Sequence, residues 1–224
     1  MRELRIRFSK TGVAKYISHL DLMRCFSRAM VRAEIPLWYT EGFNPRPYMN
    51  FSMPLSLGVE GLQECVDIRM EGDMEDAEVA ARLSATMPPD IHIQRVAPPV
   101  HKMSEIAASF YSFTVEQTAR PAEELAEAFR EEAQKPSLPV YKSAKRGREK
   151  IQKEINLAEY LEDFTAEARE DGSVRMTVLL PSSNQFGVNP KLLLNKFLED
   201  TGVEPERVRV VREALFCNDH VPFD

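Results

Sequence analysis

The 224-residue sequence is poor in cysteine, has no long apolar run and carries no excess of positive charge. Its three cysteines, Cys25, Cys65 and Cys217, are odd in number and far apart. That pattern excludes a disulfide framework and leads us to expect buried thiols in a reducing cytoplasm. Three scattered cysteines and four scattered histidines supply no metal cluster either. Only Cys217 and His220 lie close together, so no metal site is expected. No stretch approaches the roughly 18 apolar residues of a membrane span. Strand-like alternation begins at Glu3, so no leader segment and no membrane association are expected. A net charge of −6 argues against a globally basic nucleic-acid binder. The glycine–lysine spacing of a phosphate-binding loop is missing, and no nucleophile signature declares itself.

What is present is an ordinary globular composition, 43% hydrophobic and 8% aromatic, in a chain long enough for one large domain or two smaller ones. The charge is polarised. Residues 1–50 hold nine cations against four acids, and residues 60–90 hold nine acids against Arg69 and Arg82. A second basic island, residues 142–153, has six cations and only Glu149. Basic patches on an acidic body favour local contacts with anionic partners.

Leu4, Ile6 and Phe8 alternate with charged residues as a half-buried strand. Ser18 with Asp21 three residues later predicts a capped helix to about Ala33, its apolar stripe being Leu22, Phe26, Ala29, Met30 and Ala33. Phe51–Leu57 reads as an edge strand interrupted by Pro54, and Val66–Met70 as its hairpin partner. A helix over 76–87 and a strand from Ile91 complete the order βαββαβ. The second half repeats it: a strand at 111–115, a helix at 122–134, a hairpin about Asp171-Gly172, a helix capped by Asn189 and stopped by Gly202, and a strand at 208–211. Between these, Ile151–Leu157 is ambiguous between strand and helix. The expected fold is therefore α+β, two tandem ferredoxin-like units with the second elaborated. The expected boundaries are 1–97, a linker at 98–107, 108–216, and a tail at 217–224.

Five places can carry function. Arg24, Arg28 and Arg32 share one helix face and can neutralise phosphates, or simply form a solvated face. Arg5, Arg7, Asp67 and Arg69 point to the sheet face that such folds leave open, though Asp67 can equally pair with a neighbouring arginine. Gly42-Phe43-Asn44-Pro45-Arg46-Pro47, followed by Tyr48, is a stiff loop in which Phe43, Asn44, Arg46 and Tyr48 suit unpaired nucleotides; the alternative is that Phe43 plugs the core. Lys145, Arg146, Arg148 and Lys150 form a basic protrusion that extends a phosphate footprint or is only solvated. His19, in a first helical turn beside Tyr16 and Lys15, is the one candidate general base.

Five motifs carry a resemblance: Arg7-Phe8-Ser9-Lys10-Thr11-Gly12, Tyr16-Ile17-Ser18-His19-Leu20-Asp21-Leu22, the pairs Arg28-Ala29 and Arg32-Ala33, the Gly42–Pro47 loop, and Pro54-Leu55-Ser56-Leu57-Gly58. Together, dense over residues 7–70, they resemble the bacterial radical-SAM-linked domain of unknown function. That family is found free-standing beside radical SAM proteins or fused C-terminally to them, and those proteins often carry cobalamin-binding domains. The resemblance implies a partner with an iron–sulfur cluster, S-adenosylmethionine and, in many cases, cobalamin, while this chain has no cofactor of its own. The three cysteines are too far apart to hold such a cluster. The expectation is a non-catalytic accessory module that binds the enzyme's RNA substrate, tRNA or rRNA. A metal-independent endoribonuclease using His19 and Tyr16, by fold analogy with CRISPR repeat-processing enzymes, is the second reading. A protein-docking module using the acidic 60–90 surface, without RNA, is the third.

Overall fold

The computed structural model describes residues 1–146 and 149–224. The fold is α+β, and the chain divides into two compact units, residues 1–108 with 211–224, and residues 109–210.

In the first unit, β1 (Arg2–Lys10), α1 (His19–Arg32), β2 (Met49–Phe51), β3 (Val59–Met70), α2 (Asp76–Thr86) and β4 (Ile91–Ala97) follow in order. The strands lie in the order β4-β1-β3 with β2 on β3, every pair antiparallel, which is the ferredoxin-like arrangement. Alternation drives it: Leu4, Ile6 and Phe8 of β1 and Val66, Ile68 and Met70 of β3 are buried. Leu22, Phe26, Ala29 and Met30 of α1 are buried in the same cluster, with Phe8 and Phe26 ring centroids 4.7 Å apart. The expected strand at 51–57 is cut short. β2 ends at Phe51, and residues 52–58 cross as irregular chain in which Pro54 has no N–H for a ladder.

The sheet face away from these helices is not open. Residues expected as linker and tail cover it, and Met103, Ile106, Leu215, Cys217 and Phe223 are buried with Cys65. Arg5 is 4% exposed. Its guanidinium meets Asp67 in two bonds of 2.7 and 2.9 Å, donates to the carbonyls of Asp224 and His101, each at 2.7 Å, and stacks 4.2 Å over the Phe223 ring. Arg7 and Arg95 both pair with Asp224. The face expected to bind across Arg5, Arg7 and Asp67 is thus occupied by the chain's own segments.

The second unit holds β5 (Ala108–Glu116), α3 (Ala122–Ala133), β6 (Pro139–Arg146), β7 (Glu149–Asn156), β8 (Glu162–Ala168), β9 (Val174–Pro181), α4 (Pro190–Thr201) and the start of β10 (Arg207–Phe216). The order β10-β5-β9-β8 repeats the ferredoxin-like pattern, with the β6–β7 hairpin as the elaboration. Ile151–Asn156 is strand, which settles the ambiguous stretch. Asn189 accepts from the Lys191 N–H at 3.0 Å, Pro190 opens α4, and Gly202 closes it at φ +64°. Phe129 of α3 and Phe197 of α4 stack with centroids 6.0 Å apart in that unit's core. Among the described residues, no helix is long and apolar enough to cross a membrane.

Candidate functional site

The Gly42–Pro47 loop is the tip of a pinned excursion from the first unit. At its base the Trp38 N–H donates to the Arg69 carbonyl at 2.9 Å, and the Tyr48 N–H donates to the Trp38 carbonyl at 3.1 Å. One rung further out, the Thr40 N–H donates to the Arg46 carbonyl at 2.8 Å, and the Arg46 N–H donates to Thr40 Oγ1 at 3.2 Å. The Arg69 guanidinium stacks 4.2 Å from the Tyr48 ring centroid and 5.4 Å from that of Trp38. Gly42 takes φ +131°, a value that disfavours any side chain, and the chain turns there. The result is that Phe43 is 107% exposed, with Glu41, Asn44 and Arg46 exposed beside it. Phe43 does not plug the core. Tyr48, also expected among the base contacts, lies half-buried at the foot of the loop against Arg69.

On α1 the three arginines are exposed on one face, but they differ. Arg24 pairs with Asp21 at 3.1 Å, and Arg32 donates to the Thr86 carbonyl at 2.8 Å. Arg28 makes no hydrogen bond or ion pair among the described residues. Exposed ion pairs are worth little, so all three remain available to phosphates. No hydrogen bond or ion pair joins this face to the loop among the described residues. Arg148, and the side chains of Lys145, Arg146 and Lys150, lie outside the described residues; the β6 and β7 backbones pair Lys145 with Lys150.

His19 takes part in a constellation that reading the sequence missed. Lys10 continues the inward parity of Leu4, Ile6 and Phe8, and Glu64 that of Val66, Ile68 and Met70; that shared parity was the available signal. Lys10 is 1% and Glu64 4% exposed. Glu64 receives Arg212 Nε at 2.9 Å on one oxygen and an Arg212 amino group on the other, and Arg212 is itself 1% exposed. The same Arg212 amino group donates to the Met53 carbonyl. A Cβ at Gly61 would lie 2.4 Å from Glu64 Oε1, so the carboxylate folds over a site that only glycine leaves free. Lys10 Nζ donates to the Ile17 carbonyl at 3.0 Å, just ahead of α1. Lys10, His19 and Glu64 line a small cleft with about 10 Å³ of free space, room for a single water at most, walled by Phe8, Leu22 and Phe51.

The electrostatics follow from burial. Desolvation pushes the Lys10 ammonium below its usual pKa; Glu64 opposes this and Arg212 adds to it. Desolvation, with Lys10 beside it, likewise holds His19 below 6.5, and its ring meets Phe51 edge-on at 5.4 Å. The imidazole is neutral at neutral pH. Asp21 does not orient it: Ser18 Oγ donates to that carboxylate at 2.7 Å, and the hydrogen bonds from Ser18 and Arg24 keep it low. Tyr16 is 67% exposed, with the Lys15 ammonium 5.4 Å over its ring, and makes no hydrogen bond with His19 among the described residues. Burial raises all three thiols above their usual pKa, Cys65 up to about 11.

Two α+β units with ferredoxin-like strand order, one bearing an exposed loop and a charged cleft, define a class of protein but not an activity. The chain belongs to a bacterial family, described as "uncharacterized protein conserved in bacteria" (DUF2344), whose model matches residues 3–190. No curated protein matches it. Among solved structures it is similar to a chain in the crystal structure of a Cbf5-Nop10-Gar1 complex, with TM-score 0.50 and 8% identity, over 96% of this chain and 50% of that one. The chain therefore spans about half the length of that relative, and the likeness is one of fold. A heavy metal efflux pump is matched with TM-score 0.21 and 10% identity, over 94% of this chain and 28% of that chain.

Proposed function

We propose that this protein is a non-catalytic recognition module that binds RNA, of the tRNA or rRNA class, as the substrate of a separate radical SAM enzyme. The observation that carries the reading is Phe43, wholly exposed at the tip of a loop pinned by four backbone and side-chain bonds, with Asn44 and Arg46 beside it. A phenylalanine held out in water forgoes roughly 1.5–3 kcal/mol of burial, and stacking against an unpaired base recovers it. The amide and guanidinium beside it can read base edges or phosphate. The α1 arginines supply sequence-independent phosphate contacts. The radical SAM partner rests on the sequence resemblance; it would carry the iron–sulfur cluster, S-adenosylmethionine and, in many cases, cobalamin.

One observation favours a second, enzymatic reading: a neutral His19 lies in a cleft with a buried lysine and glutamate, groups suited to proton transfer. The exposure of Tyr16, with no hydrogen bond to His19 among the described residues, weighs against the ribonuclease form of it.

Ultraviolet cross-linking of the protein to bulk tRNA, with peptide mass spectrometry, tests the recognition reading. The expected adduct is on the peptide carrying Phe43 to Tyr48. Adducts confined to other segments, or none, would count against it, and cleavage of the RNA lost in His19→Ala would favour the enzyme.

A further inference from the structure

The arginines on the second face of β1 and β3 have carboxylate partners, with one exception. Arg5 is engaged by Asp67 and Arg7 by Asp224. The Arg69 side chain makes no hydrogen bond or ion pair among the described residues. Glu3 stands opposite it on β1, yet the two form no ion pair. Glu3 is exposed, so water and salt screen its carboxylate. The Arg69 guanidinium instead turns to the β2 side, half-buried, with the Tyr48 ring at 4.2 Å and Trp38 at 5.4 Å. Both rings belong to the backbone rung that closes the foot of the Gly42–Pro47 loop. Stacking uses the face of a guanidinium and leaves its five N–H donors, which lie in the plane, to bond elsewhere. A cation held in one place by aromatic rings, with no carboxylate on it, is prepared to receive an oxyanion.

We propose, on the RNA reading of the loop, that Arg69 holds a backbone phosphate of the same strand whose base stacks on Phe43. A phosphate offers two oxygens to the guanidinium fork and supplies the charge that Arg69 lacks. A base edge would supply hydrogen bonds alone. One rung, Thr40 with Arg46, separates the foot of the loop from its tip, about 7 Å of strand. A strand of several nucleotides covers that distance, with a base at the tip and a phosphate at the foot. Arg69 thus fixes the path of the backbone, while Phe43 takes the base.

Binding of an unstructured oligoribonucleotide over a series of salt concentrations, followed by fluorescence anisotropy, tests it. Arg69→Gln should weaken binding about tenfold and flatten the logarithmic salt slope by about 0.7, the value for one phosphate on a single strand. Arg69→Lys keeps the charge, so it should keep the slope while losing part of the affinity. Phe43→Ala should lose affinity with the slope unchanged. Trp38 is the one tryptophan in the chain, so its emission reads the site in the wild type and decides if Arg69→Gln does not fold. That emission should change saturably as RNA is added. A wild-type slope in folded Arg69→Gln, or constant emission while anisotropy reports binding, would overturn the phosphate site and leave the loop reading intact. A slope lost equally in Arg69→Lys would also overturn it, since the residue would then only brace the rings. An oligoribonucleotide that does not bind the wild type at all would overturn both.

Discussion

Glu64→Leu is expected to be among the most destabilising single changes in the chain, costing about 3–5 kcal/mol. The substitution keeps the volume but leaves Arg212, 1% exposed, without its carboxylate and beside a second buried cation, Lys10. Buried ions need a partner more than they reward having one, so the loss comes from the stranded guanidinium rather than from a contact deleted. The matching arm is Glu64→Leu with Arg212→Met. It removes both charges and should recover most of the stability. Denaturant unfolding of the two variants checks the pair. A single variant within about 1 kcal/mol of wild type, or a double variant worse than the single, would show that this pair is not the anchor between β3 and the end of β10.

Phe43→Ala is expected to leave stability within about 0.5 kcal/mol, since Phe43 contributes no burial. The same change should weaken single-stranded RNA by about 1–3 kcal/mol, roughly five- to hundredfold. Phe43→Trp should keep or improve the affinity, because a larger ring face stacks at least as well. Fluorescence anisotropy with a labelled unstructured oligoribonucleotide gives the comparison. A tryptophan variant that binds as weakly as the alanine variant would mean that the ring does not stack on a base. The contrast between the two mutations separates the molecule's internal anchor from its outward-facing loop.

Much of the fold was legible because local chemistry and long-range packing agree. Ser18 and Asp21 cap α1, and Asp171-Gly172 turns β8 into β9. Asn189, Pro190 and Gly202 bound α4 as their backbone preferences require. Where the two diverge, sequence alone fell short. The covering of β1's second face depends on Arg5 meeting carbonyls 96 and 219 residues away, and neither 98–107 nor 217–224 carries a periodic pattern that would announce it. β2 is shorter than its alternation suggests because Pro54 ends the ladder. Lys10 and Glu64 were visible by parity as charges on a core face. The partner of Glu64, Arg212, 148 residues away, was not. The orientation of Phe43 could not be decided from composition, since an aromatic between Gly42 and Pro45 packs inward or outward according to the strands that pin it.

Filter retention of bulk tRNA over a series of salt concentrations tests the central claim, that this protein recognises RNA, most directly. Retention is predicted to fall steeply as salt rises. In the variant carrying Arg24→Glu, Arg28→Glu and Arg32→Glu the logarithmic slope should flatten by about 2–3. Retention that is absent, insensitive to salt, or the same in wild type and triple variant would contradict the account.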